Sequence, residues 1–175
     1  MVTNNWNVHA DSSTFAHGMS KKEVYGQVLE QARALFDGQR NWVPSLLWHA
    51  YHSLPAPSSA VNWAGFYFTD RSNPSHLLLG PFQGQVACQV IAFGRGVCGK
   101  AAKEAKTQLV DDVEKFPGHI ACDGASRSEI VVPIVKDGKV VAIIDIDCAE
   151  LNGFTTQDQE ALEELAQLLA ESCDF

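Results

Sequence analysis

Three of the chain's five cysteines, Cys88, Cys98 and Cys122, fall in one stretch, residues 84 to 129. Steps of ten and then twenty-four residues lack the closely spaced cysteine pairs of a zinc ribbon or a thioredoxin-like motif, so paired or reactive thiols are the better reading. Cys122 lies in HIACDGASR, with His119 three residues before it and Arg127 five after, both able to favour a thiolate. It is the best nucleophile. Cys98 follows Gly94, Arg95 and Gly96 at the expected start of a helix, where the helix field also lowers a thiol pKa, and it is the best partner. Cys88 alternates with Val86 and Val90 on an expected strand, where a small buried hydrophobe and a redox partner fit equally well. Cys148 and Cys173 read as structural or incidental. A zinc site from Cys88, Cys98, Cys122 and His119 would need a strand, a helix start and a loop to converge without any short-spaced ligand pair, so no metal is expected.

Carboxylates form the second group. In VVAIIDID, Asp145 and Asp147 alternate with Ile144 and Ile146, so both acids point to one side of a strand that otherwise looks buried. Glu129 begins the preceding strand and can meet them. Buried carboxylates are costly unless paired, so such a cluster asks for a cationic ligand, a metal, or one acid kept protonated by its neighbours.

The elements that must position these groups follow from periodicity and punctuation. Ser20 and Glu23 make a capping box for a first helix whose buried stripe is Val24, Val28, Leu29, Ala32, Leu35 and Phe36. A second helix is expected from Trp42 to Ser53. It carries His49 and His52 three apart, a pair with no third ligand in view and so read as solvated or hydrogen-bonded. Residues 60 to 69 read as a central strand with Trp63, Gly65 and Tyr67 on one face and Asn62, Ala64, Phe66 and Phe68 on the other. Strands at 76 to 82 and 85 to 93, a short helix at 97 to 104 and a strand at 107 to 110 follow. Residues 111 to 127 form a long irregular loop, and loops of that length in a compact domain are usually functional. Asp137-Gly138 turns a hairpin between strands at 128 to 135 and 139 to 147. The last helix runs from about Thr156 to Ser172, with Thr156 and Gln159 as its capping box.

A chain of 175 residues, 46% hydrophobic, can bury one core and not comfortably two. The expectation is an α+β domain over residues 19 to 175, preceded by a flexible arm at 1 to 18. It has a central, mostly antiparallel sheet with the N- and C-terminal helices packed on one face and a ligand pocket under the long loop on the other. No apolar run reaches the roughly 18 residues that a membrane span needs, and the N-terminus lacks the features of a secretory signal, so the cytoplasm is expected. A net charge of −8, with 13 scattered Lys and Arg, argues against a nucleic-acid partner.

The ordered set NWAGFYF, LLLGPFQGQVACQVIAFGRGVCGKAA, HIACDGASRSEIVVPI and IIDID resembles the free methionine-(R)-sulfoxide reductases, a branch of the GAF fold with a three-cysteine pattern. The similarity runs from about Ser20 to Cys173. It implies an oxidoreductase, an L-methionine (R)-S-oxide reductase serving in oxidative stress. By that resemblance Cys122 is the nucleophile, and Cys98 and Cys88 take part in the disulfide that resolves its sulfenic acid. Trp63 and Tyr67 bind substrate, together with Glu129, Asp145 and Asp147. The resemblance also implies no bound cofactor, with thioredoxin or a related dithiol protein as the external reductant, itself fed by NADPH and thioredoxin reductase. A homodimer is compatible with it.

These roles fit the residues. A sulfoxide needs a thiolate at sulfur and an acid for its oxygen, the latter expected from Glu129, while Asp145 and Asp147 take the ammonium of a free amino acid. Trp63 and Tyr67 can box the S-methyl group. At a helix start, Cys98 should be more mobile than strand-bound Cys88 and trap the sulfenic acid first. The alternative is a non-catalytic GAF module that binds a small molecule or senses oxidants. Such a sensor needs an output, and one domain uses almost every residue here.

Overall fold

The computed structural model describes residues 19–36, 60–120 and 124–175. The expected arm, the helix carrying His49 and His52, and Cys122 lie outside the described residues. The first described helix, α1 (Lys21–Phe36), starts as its sequence predicts. The Ser20 N–H donates to Glu23 Oε2 at 2.8 Å and the Glu23 N–H to Ser20 Oγ at 3.3 Å, so two otherwise unpaired helix-start donors are satisfied reciprocally. Val24, Tyr25, Val28, Leu29, Ala32 and Phe36 are its buried side.

Six strands follow: β1 (Val61–Thr69), β2 (His76–Gln83), β3 (Val90–Ala92), β4 (Gln108–Val110), β5 (Ser128–Lys136) and β6 (Lys139–Cys148). They form one sheet in the order β3-β2-β1-β6-β5-β4, antiparallel at every pairing. The β5-β6 hairpin turns at Asp137 and Gly138, both with positive φ (51° and 73°), the backbone that a two-residue primed turn requires. Helix α2 (Gly96–Glu104) lies between β3 and β4, and helix α3 (Thr156–Ser172) closes the chain.

Alternation along β1, β5 and β6 divides the interior into two layers. Ala64, Phe66, Ile130, Val132, Ile134, Ala142, Ile144 and Ile146 face α1 and α3, against Leu162, Leu165, Ala166 and Leu169. Trp63, Tyr67, Val131 and Ile143 face the other way, against Val97, Cys98, Ala101 and Ala102 of α2. Each fully buried Ile or Leu contributes roughly 1.5–3 kcal/mol, so both layers hold the sheet against its helices. The terminal helices are tied by one buried acid. Asp158 Oδ1 accepts from the Tyr25 hydroxyl at 2.8 Å, and Oδ2 from the Lys21 ammonium at 2.7 Å. Burial pushes the Asp158 pKa up, but these bonds and those from Thr155 outweigh it and hold the carboxyl below its ordinary value.

Two local expectations are corrected. The capping box of α3 is Thr155 with Asp158, not Thr156 with Gln159: the Thr155 N–H and hydroxyl both donate to Asp158 Oδ2 at 2.7 Å, and Asp158 is drawn inward by Lys21 and Tyr25. The strand expected at 85 to 93 shrinks to Val90–Ala92, which pairs only with His76, Leu77 and Leu78 of β2. Val86, 78% exposed, has no sheet neighbour, so alternation alone could not hold this segment extended.

Candidate active site

A cavity of about 420 Å³ opens on the α2 face of the sheet, walled by Val90, Ile91, Val97 and Ile120, with Cys88 and Arg95 among its lining residues. Ile120 belongs to the long loop, so the pocket lies where the loop was expected to cover the sheet. Its floor is Cys98, Glu129 and Asp145. Strand register assembles that floor. Glu129 pairs with Asp147, and Val131 with Asp145, so the three acids project from neighbouring positions on one face of β5 and β6. Cys98 is delivered from above by the first turn of α2. That helix can come down because Gly99 has no Cβ, which would collide with the carbonyl oxygen of Ala92.

Cys98 Sγ lies 3.1 Å from Asp145 Oδ2 and 3.7 Å from Glu129 Oε1. The three residues are only 7%, 5% and 6% exposed. Burial first, then the charges of Asp145 and Asp147, push the Glu129 carboxyl well above its ordinary pKa. Burial likewise raises Asp145, to about 6, against the lowering effect of its hydrogen bonds with Cys98 and Glu129. Both carboxyls are thus pushed toward the protonated form, Glu129 also by the charges beside it, while Asp145, at about 6, is the one that ionises by neutral pH. Asp145 Oδ1 is buried and has no hydrogen-bond partner among the described residues. An unpaired buried carboxylate oxygen at the floor of a cavity is a vacant place for a donor.

The thiols differ from expectation. The helix field at Cys98 does not prevail: burial, then Asp145 and Glu129, drive its pKa up, so this thiol stays neutral and donates to Asp145. Cys98 is thus enclosed and not the exposed, readily moving thiol that a helix start suggested. Cys88 lies outside any strand, is half-buried at the cavity, and is disulfide-bonded, whereas Cys98, Cys148 and Cys173 are not in disulfides. Cys148 and Cys173 are buried in the core on the opposite face. His119 has its pKa lowered by burial and is therefore neutral near pH 7.

Trp63 and Tyr67, each 1% exposed, stand beside this floor on the same face of the sheet, on β1 next to β6, and are not among the residues that line the cavity. Burial and then Asp145, Cys98, Asp147 and Glu129 raise the Tyr67 phenol pKa, which places its ring next to the cluster. Trp63 stacks on Phe82 with ring centroids 5.5 Å apart and donates from its indole N–H to the Gln85 carbonyl at 3.0 Å, three residues before Cys88. Asp147 is half-buried beside the cluster. Sequence reasoning overlooked Arg95, His76 and Val90 as lining residues. The Gly-Arg-Gly turn signalled Arg95 only as a loop residue, since its place at the cavity depends on how α2 docks.

The family model for the GAF domain matches residues 43–172. The chain is 52% identical over 174 residues to the free methionine-R-sulfoxide reductase of Saccharomyces cerevisiae, covering 95% of each chain. A solved GAF-domain structure superimposes with a TM-score of 0.87 at 50% identity, covering 97% of this chain and 99% of its own. The free methionine-R-sulfoxide reductase from Neisseria meningitidis, solved in complex with its substrate, superimposes with a TM-score of 0.77 at 39% identity, covering 88% and 90%.

Proposed function

The chain belongs to the free methionine-R-sulfoxide reductases of the GAF fold, and on that premise we propose how its own residues carry the reaction. It is an oxidoreductase that reduces free L-methionine-(R)-sulfoxide to methionine. The observation that carries the residue assignment is the floor of the cavity, where Glu129, pushed toward its protonated form, stands beside Asp145, one of whose carboxylate oxygens has no partner among the described residues.

The substrate ammonium donates to Asp145 Oδ1, with Asp147 adding negative charge from the next inward position of β6. A peptide-bound methionine offers only a neutral amide there and leaves the carboxylate underpaired, which costs about 1–3 kcal/mol. Glu129 hands its proton to the sulfoxide oxygen while the Cys122 thiolate attacks sulfur. Oxygen leaves the substrate for Cys122, so methionine departs and a cysteine sulfenic acid remains. Cys88 then condenses with that sulfenic acid, releasing water and forming a disulfide. The engagement of Cys88 in a disulfide while Cys98 stays free supports Cys88 over Cys98 in this role. Cys98 instead holds Asp145 in place from above. Trp63 and Tyr67 flank the acids from the neighbouring strand, and the Trp63 bond to Gln85 fixes the approach to Cys88. A dithiol protein of the thioredoxin type returns the enzyme to its reduced state by exchange.

The test is thioredoxin-coupled NADPH oxidation with the free R-sulfoxide, the free S-sulfoxide and an R-sulfoxide peptide. Turnover of the first alone is expected. Turnover of the peptide at a comparable kcat/KM would remove Asp145 from its role, and turnover of none would leave a ligand-binding module.

A further inference from the structure

Cys98 Sγ, a Glu129 carboxyl oxygen and an Asp145 carboxyl oxygen lie within 4.8 Å of one another, all on buried side chains. A tetrahedral zinc ion bonded to sulfur at about 2.3 Å and to oxygen at about 2.0 Å sets neighbouring sulfur and oxygen ligands about 3.5 Å apart. The two separations from Cys98 Sγ, 3.1 and 3.7 Å, bracket that spacing before any adjustment. A second observation points the same way. Asp145, 95% buried, lines the cavity with its Oδ1 without a partner, and among the described residues no lysine or arginine pairs with Asp145 or Glu129.

We propose that Cys98, Glu129 and Asp145 form a three-ligand site for a thiolate-seeking divalent cation such as Zn²⁺, with its fourth position open to the cavity. One sulfur and two carboxylate oxygens suit Zn²⁺ better than Mg²⁺ or Ca²⁺, which take oxygen ligands in larger number. Binding displaces the protons of Cys98 and Glu129 to solvent, since metal ligands must be deprotonated. An ion here occupies the place assigned to the substrate ammonium and removes the acid assigned to the sulfoxide, so it blocks the enzyme reversibly and takes no part in its chemistry.

The site is independent of the substrate assignment, because binding is read on protein without substrate. The oxidised protein isolates it: Cys88 is then disulfide-bonded, and the other cysteines outside any disulfide, Cys148 and Cys173, are buried on the far side of the sheet. Calorimetric titration of that protein with Zn²⁺ should give one ion per chain, and Cd²⁺ should produce the ultraviolet band of a cadmium thiolate. Cys98→Ser and Asp145→Asn should each weaken Zn²⁺ binding by more than the roughly 10–100-fold lost with an outer-shell partner, with circular dichroism confirming that both variants are folded. Mg²⁺ should not bind. Absence of a stoichiometric Zn²⁺ site, binding that survives either substitution, or equal affinity for Mg²⁺ overturns the proposal.

Discussion

Replacing Asp145 by Asn should stabilise the protein while weakening its hold on substrate. The fold keeps this carboxyl in a place that penalises its charged form, raising its pKa from an ordinary 3.8 to about 6. At about 1.4 kcal/mol per pKa unit, that rise amounts to ~3 kcal/mol of stability. Because the folded-state pKa is the higher one, the stability is fully present below pH 3.8 and is lost as pH rises through about 6. Asn has the same shape and no charge, so Asp145→Asn should recover up to ~3 kcal/mol at pH 7.5 and almost nothing at pH 4. For a chain of this size that is roughly 6–12 °C in melting temperature. Over the same range the variant should bind free methionine more weakly by about 1.5–3 kcal/mol, or roughly 10–150-fold, having lost a charge-assisted hydrogen bond to the ammonium. Thermal melts at both pH values and calorimetric titration with methionine measure the two effects. A melting temperature that falls at pH 7.5, or rises equally at both pH values, refutes the charge argument. Undiminished affinity refutes the ammonium assignment.

Glu129→Gln should slow single-turnover methionine release by about 100-fold or more, the usual contribution of a general acid. Wild-type rates should fall as pH rises through the raised Glu129 pKa, and the variant should lose that descent; a rate profile unchanged by the substitution moves the proton elsewhere. Cys122→Ser should release no methionine even in one turnover, because a hydroxyl cannot replace a thiolate toward sulfur, and a burst of one methionine per chain would exclude it as nucleophile. Cys88→Ser should keep that single turnover and lose thioredoxin-driven cycling, whereas Cys98→Ser should cycle with a raised KM. The opposite ranking, read from NADPH oxidation, returns the resolving role to Cys98.

Local chemistry already determined much of this molecule. Ser20 with Glu23 starts α1, Asp137-Gly138 turns the hairpin, and alternation along residues 61–69 assigns Trp63 and Tyr67 to one layer and Ala64 and Phe66 to the other, because strand periodicity and capping depend on neighbours a few residues apart. The placing of Asp145, Asp147 and Glu129 on one face was legible for the same reason, and the quoted cysteine segments carried the family resemblance. The thiols were not legible in that way. Whether Cys98 is activated or suppressed depends on what surrounds its sulfur, and only the docking of α2 onto β5 and β6 brings two carboxyls within 3.1 and 3.7 Å of it. The capping box of α3 slid by one residue because Asp158 answers to Lys21 and Tyr25, 137 and 133 residues away. Electrostatics and desolvation act through space, so which acid is pushed harder toward its protonated form, and which thiol is enclosed, was decided only when distant segments met around one cavity.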